Sequence, residues 1–343
     1  MKRGVLMRLT KDMKIDEIKK IPELVQVSDY FTGRRDGNEK DEEGCTFQYL
    51  NDKYNTWNPQ CMIYGVEALI RNGKNGKNCV YSVYSQDEIA ADPTRKDVKL
   101  IAFPGEKEKP FVILCAGGAY HAVCSIVEAF PVAAKFSSMG YPVFCLNYRT
   151  WKSWDEQVLP MALEDLAAAV KFISSRKDEL GLGQDDYAVG GFSAGGNLTA
   201  EFGIAENGYK KYGLKKPDVL FCIYAVLNLK DILEKNETYL IETMFGRGAD
   251  RETVEKYDVI TRLDKEYPPC YLVAAEDDDM VDPENSRKMY SELSKKNIPA
   301  KLEIGKSGGH GFGLGDGTSL EGWVERGIGF WEQLQQQKGK ERI

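Results

Sequence analysis

Histidine is nearly missing from this chain: among 343 residues there are two, His121 and His310. Any chemistry that needs an imidazole base must run through one of them. The eight cysteines form no C-x-x-C pair and no Cys/His cluster with zinc spacing, which excludes the common structural metal modules and leaves the metal expectation at none. Cys115, Cys145 and Cys222 lie inside apolar runs, where a free thiol behaves as a small hydrophobe, and a reducing, cytoplasmic location is expected. No stretch reaches the ~18 apolar residues of a membrane span. After Lys2 and Arg3 only residues 4–7 form an apolar run before Arg8 and Lys11, short of the about 7–15 residues of a secretory h-region. A basic excess is also lacking. Lys and Arg total 46 against 53 Asp and Glu, a net charge of -7, so nucleic acid is not an expected partner and neither is a membrane. No G-x-G-x-x-G follows the early strands, which removes a dinucleotide site.

What is present is an ordinary soluble composition, 42% hydrophobic and 29% charged, with enough apolar material for a sizeable core. Residues 1–78 read as a helical N-terminal extension. One apolar patch (Ile15, Ile18, Ile21, Leu24, Val25) follows a candidate cap at Thr10. A second (Met62, Ile63, Val66, Leu69, Ile70) follows Pro59, both at helical spacing. Residues 33–44 read as a loop, and Gly73 and Gly76 close the segment. This extension is read as a cap beside a cleft or as an oligomerisation arm, with Trp57 and Tyr64 as cleft or interface aromatics.

From residue 79 the pattern changes. Short apolar runs at 79–85, 98–103, 111–116, 142–147, 187–191, 219–225, 270–275 and 300–304 predict eight buried strands. Helix-like segments at 126–139, 156–173, 196–204, 283–296 and 319–335 alternate with the later ones. This alternation predicts an α/β fold with a mostly parallel eight-stranded sheet flanked by helices. The first two or three strands lack helices between them and are expected to be antiparallel. Residues 79–343 are assigned to one domain, with 227–266 read either as surface helices or as a cap inserted over a cleft.

Four segments carry chemistry. Gly191-Phe192-Ser193-Ala194-Gly195 is a G-x-S-x-G motif between a strand and a helix start, the context that places a nucleophilic serine on a sharp, strained turn at a helix N-terminus. Residues 114–120 (LCAGGAY) end a strand in small residues, which let a substrate approach backbone N–H donors closely. Residues 275–281 (AEDDDMV) place four acids in a row after a late strand, so chemistry alone leaves the orienting acid open, with Asp277 and Asp282 as further candidates beside Asp278. Residues 308–312 (GGHGF) put His310 between glycines on a loop that can reach the serine. His121, Tyr120 and Phe192 are candidates for lining the cleft.

With these four segments in the order Ser, Asp, His, the sequence resembles the esterase branch of the α/β-hydrolase superfamily: carbohydrate acetylesterases, hormone-sensitive-lipase-like enzymes and the catalytic domain of prolyl oligopeptidases. The resemblance covers about residues 79–338. The family pattern G-x-x-D-x-x-V aligns with Ala275, Asp278 and Val281, implying Asp278 as the orienting acid. The oxyanion loop departs from the family's His-Gly-Gly-Gly or Pro-Gly-Gly-Gly at both ends, with Ala116 and Ala119; the implied donors are the N–H groups of Gly118, Ala119 and Ala194. Asn147-Tyr148-Arg149 and Leu163-Glu164-Asp165 also fit the family, in structural roles. The implied activity is hydrolysis of small-acyl esters through an acyl-enzyme on Ser193, with His310 as base, no cofactor, a small-molecule ester as partner and a homo-oligomer as an expected state. A peptidase or amidase of the prolyl-oligopeptidase type is the rival, disfavoured because residues 1–78 are too short for a β-propeller. A silent binding scaffold is disfavoured because no triad member is missing.

Overall fold

Each of the eight apolar runs becomes one strand of a single sheet. The structure is a computed structural model and describes residues 8–32, 44–74, 79–235 and 238–341. The loop expected over 33–44 lies, apart from Gly44, outside the described residues, as do Gly76 and the short apolar run at 4–7. The strands are β1 (Val80–Ser82), β2 (Lys99–Phe103), β3 (Phe111–Cys115), β4 (Val143–Asn147), β5 (Tyr187–Phe192), β6 (Val219–Ile223), β7 (Cys270–Ala275) and β8 (Ala300–Gly305). Their order is β1-β2-β4-β3-β5-β6-β7-β8. The pairs β1–β2 and β2–β4 are antiparallel, and every pair from β4–β3 to β7–β8 is parallel. Strands β3 to β7 are buried along their whole length, as expected of parallel strands covered on both faces.

The helices in chain order are α1 (Ile15–Ile18), α2 (Phe47–Tyr54), α3 (Pro59–Lys74), α4 (Gln86–Ala91), α5 (Ala129–Ser138), α6 (Val158–Ser175), α7 (Ser193–Gly203), α8 (Leu229–Glu234), α9 (Thr238–Phe245), α10 (Arg251–Lys256), α11 (Val259–Arg262), α12 (Glu284–Lys295) and α13 (Trp323–Glu341). Among the described residues none is long and apolar enough to cross a membrane. Helix α3 buries all five residues of the second N-terminal patch and lies against α5, so closely that a Cβ on Gly65 would stand 2.7 Å from the backbone of Pro131.

The first N-terminal patch is not one helix. It is the four-residue α1 followed by a 3₁₀ turn, Pro22–Leu24, because Pro22 has no N–H to continue the ladder and its ring clashes with the preceding turn. Thr10 caps nothing there; Lys14 precedes α1 without a side-chain cap, and Val25 is exposed. Helix α2 was not expected. Its start is set by Thr46, whose side chain accepts the N–H of Tyr49. The sequence pattern shows no helix between β1 and β2, yet that stretch holds α4, begun by a capping box between Ser85 and Glu88. The two strands are antiparallel all the same.

A buried ionic cluster ties β4 to α6. Asp165, fully buried, accepts the Arg149 side chain at 3.0 Å, the Arg149 N–H at 2.8 Å and the Tyr84 hydroxyl at 2.7 Å. Charges taken out of water persist only when every lone pair finds a donor, and these contacts supply them.

Candidate active site

The carboxyl ends of β3, β5, β7 and β8 all deliver a loop to the same edge of the sheet, where ligands bind in open parallel folds. Strand β5 runs into α7 with Ser193 at the junction, at φ 52°. That left-handed conformation costs a non-glycine residue strain and is retained where the surroundings fix it. The flanking glycines explain how the turn fits. A Cβ on Gly191 would meet the carbonyl oxygen of Gly195 at 2.0 Å, and one on Gly195 would meet that of Cys115 at 2.1 Å.

The turn aims the serine at the β8 loop. Ser193 Oγ lies 2.9 Å from His310 Nε2, and His310 Nδ1 lies 2.9 Å from Asp278 Oδ2. The Asp278 side chain is buried, and its second oxygen accepts the N–H groups of Met280 and Val281 at 3.0 and 2.9 Å. These bonds leave one Asp278 oxygen aimed at the imidazole. With Nδ1–H donating to Asp278, Nε2 presents a lone pair to the serine hydroxyl. The two other acids considered for this place do different work: Asp277 accepts the N–H of Gly309 at 2.8 Å, and Asp282 accepts the N–H of Glu284 at the start of α12. Glu276 pairs with Arg287, and Asp279 is exposed. Among the described residues no group of three or more His, Cys, Asp and Glu is arranged to hold a metal ion.

The β3 loop passes beside Ser193 in a run of left-handed backbone: Gly118 at φ 130°, Ala119 at 50° and Tyr120 at 61°. Among the described residues the N–H groups of Gly118 and Ala119 donate to no carbonyl. Ala194 sits in the first turn of α7, where N–H groups have no intrahelical acceptor. Ala119 and Ala194 line a cleft of about 1120 Å³ together with Ser193 and His310; α8 and α9 supply a further wall through Ile232, Tyr239 and Leu240.

Two expected cleft residues are elsewhere. Tyr120 is fully buried, its hydroxyl donating to Asn197 at 2.7 Å, because its reversed backbone turns the ring under the loop. Phe192 is fully buried against Tyr224 and Trp323, because the side chain before the serine points into the core. His121 is half-buried, flanked by the rings of Trp151 and Tyr239, with Nε2 3.1 Å from Thr243 on α9. Of the N-terminal aromatics, Trp57 stands against Gly311 of the histidine loop, and Tyr64 donates to the Ala134 carbonyl on α5.

Three contributors were missed from sequence. Glu128, buried behind the β3 loop, accepts the Gly117 N–H at 2.5 Å and the Tyr224 hydroxyl at 3.1 Å. Burial pushes its carboxyl up to about 7, against the opposing pull of the Gly117 N–H, His310 and Tyr224. Tyr224 in turn packs against the His310 ring, with centroids 4.9 Å apart. Thr56 donates its hydroxyl to the His310 carbonyl. The one available signal was a lone acid at 128 within an otherwise apolar stretch; Tyr224 and Thr56 carry none.

The sequence matches the BD-FAE family over residues 100–293. It is 25% identical over 218 residues to endo-1,4-beta-xylanase B of Butyrivibrio fibrisolvens, covering 62% of this chain and 34% of that protein. It is 24% identical over 229 residues to esterase LipC of Mycobacterium tuberculosis, covering 62% and 55%. The chain thus spans about a third to a half of the length of the curated relatives it matches. The acetyl ester-xyloside bifunctional hydrolase of Caldicellulosiruptor lactoaceticus superposes with a TM-score of 0.63 at 25% identity, covering 74% of this chain and 96% of that one.

Proposed function

This chain belongs to the BD-FAE family of α/β-hydrolases, and from that premise we propose that it is a serine carboxylesterase acting on small-acyl esters, acetylated carbohydrates among them. The observation that carries the reading is the pair of 2.9 Å contacts joining Ser193 to His310 and His310 to Asp278. In this mechanism His310 Nε2 takes the Ser193 proton as Oγ attacks the ester carbonyl. The N–H groups of Gly118, Ala119 and Ala194 hold the resulting oxyanion. The tetrahedral intermediate collapses to an acyl-serine as His310 gives its proton to the leaving alcohol. Water, deprotonated by His310, then attacks the acyl-serine and frees the acid. Asp278 holds the imidazolium that forms through its bond to Nδ1.

Support for a small acyl group and a sugar alcohol comes from relatives whose names include an esterase, a xylanase and an acetyl ester-xyloside hydrolase. The test is turnover of p-nitrophenyl acetate, butyrate and octanoate beside Ser193→Ala. Serine-dependent turnover that falls with chain length is expected. Folded protein that turns over none of them would overturn the reading.

A further inference from the structure

A second cavity, of about 530 Å³, opens on the other side of the histidine loop. It shares His310, Asp279 and Met280 with the cleft that holds Ser193, so the two adjoin along the histidine and acid loops. Its outer wall is the N-terminal segment around α2 and the turn into α3, which lies before residue 100, where the family match begins. That wall is fixed in place. Thr56 holds the His310 carbonyl, the Asn58 amide donates to the Asp316 carbonyl at 3.4 Å, and Cys61 donates to the Asp316 carboxylate at 3.5 Å.

The chemistry of the lining is selective. Among the described residues, Asn51, Asn55 and Asn58 bring amides, Thr56 and Thr318 hydroxyls, and Asp277, Asp279 and Asp316 carboxylates, and none that lines the cavity is Lys or Arg. The Tyr54 ring, stacked on Trp57 at 4.3 Å, adds an aromatic wall. Among the described residues the side chains of Asn55 and Asp279 make no hydrogen bond within the protein. An anionic ligand would face three carboxylates with no cationic side chain among the described lining residues, and an acyl chain would strand amides without partners. Neighbouring hydroxyls of a polyol satisfy both kinds of group, donating to carboxylates and accepting from amides, while the partly exposed Tyr54 side chain offers apolar contact.

Location decides which part of the substrate this is. The leaving alcohol must take its proton from His310, so it departs on the histidine side of the serine. We infer that the N-terminal segment builds a leaving-group subsite, in which Tyr54, Asn55 and Asp279 bind the neutral, hydroxyl-rich alcohol portion of the ester. The inference rests on the esterase reading and adds the part of the substrate that this segment recognises.

The experiment compares wild type with Tyr54→Ala and Asn55→Gly on acetylated xylotriose, acetylcholine and p-nitrophenyl acetate. Glycine is chosen because Asn55 sits at φ 57°, which glycine adopts without strain. Each substitution is expected to lower the ratio of kcat/KM for the saccharide ester to that for p-nitrophenyl acetate at least fivefold, mainly through KM. An unchanged ratio in both variants overturns the subsite, as does a wild-type preference for the choline ester. Turnover of p-nitrophenyl acetate with none of the saccharide ester overturns the subsite alone. Turnover of no ester at all overturns the esterase reading and the subsite with it.

Discussion

One oxygen of the Glu128 carboxylate accepts the backbone N–H of Gly117 at 2.5 Å, directly behind the loop that passes Ser193. Its other oxygen accepts the Tyr224 hydroxyl, and the Tyr224 ring lies against His310. A single buried acid therefore braces the β3 loop and, through one tyrosine, the His310 ring. Glutamine offers one acceptor in place of two. Glu128→Gln is expected to lower kcat/KM on p-nitrophenyl acetate about tenfold, mostly in kcat, a modest fraction of the 10²–10³ lost when an oxyanion donor is removed outright. Steady-state kinetics check this; unchanged kcat would show that the loop holds itself.

The same residue gives a pH dependence of stability. The carboxyl titrates near 4.5 when unfolded and is raised to about 7 in the fold, so the folded state binds the proton more tightly. Its contribution is fully present below about pH 4.5 and is lost as pH rises through 7, on the order of 3 kcal/mol across that window. The groups facing it are His310, Tyr224 and Tyr148, with Asp278 acting on Tyr224. Thermal unfolding at pH 5 and pH 8 should show a smaller pH-linked loss for Glu128→Gln than for wild type. Parallel losses would contradict the assignment.

Asp278 fixes which imidazole nitrogen carries the proton, since its Oδ2 faces Nδ1 and its other oxygen is held by two backbone N–H groups. An amide there can present its NH₂ to Nδ1 and favour the opposite tautomer. Asp278→Asn is expected to reduce kcat by about 10²–10⁴ with little change in KM. Equal loss in Asp277→Asn, whose carboxylate accepts the Gly309 N–H, would move the role to the neighbouring acid.

Away from the site, Arg149 and Asp165 are expected to govern stability. Removing the cation in Arg149→Met leaves a fully buried carboxylate with the Tyr84 hydroxyl as its remaining side-chain partner. A cost of about 3–5 kcal/mol follows. Urea unfolding measures it, and a cost below about 1 kcal/mol would mean that Asp165 is protonated in the fold.

Much of this arrangement was legible in the chain. Buried parallel strands need uninterrupted apolar runs, and all eight runs became strands. The serine, acid and histidine loops declared themselves through glycines, acids and strand ends, and the structure brings Ser193, Asp278 and His310 into contact. What the chain hid depends on direction rather than composition. Tyr120 and Phe192 neighbour the β3 loop and Ser193 in sequence, but a left-handed turn sends one ring under the loop, and the strand's alternation sends the other into the core. Thr56 and Tyr224 reach His310 across 254 and 86 positions of chain, a proximity that only tertiary packing creates. Pro22 broke an N-terminal helix whose apolar spacing looked continuous.

The most direct test of the account is covalent labelling of folded wild-type protein with a fluorophosphonate, followed by mass mapping of the adduct. A nucleophile activated by His310 should carry one label on Ser193, lost in Ser193→Ala and formed at least tenfold more slowly in Asp278→Asn. An unlabelled Ser193 in folded protein, or ester turnover that survives Ser193→Ala, would contradict it.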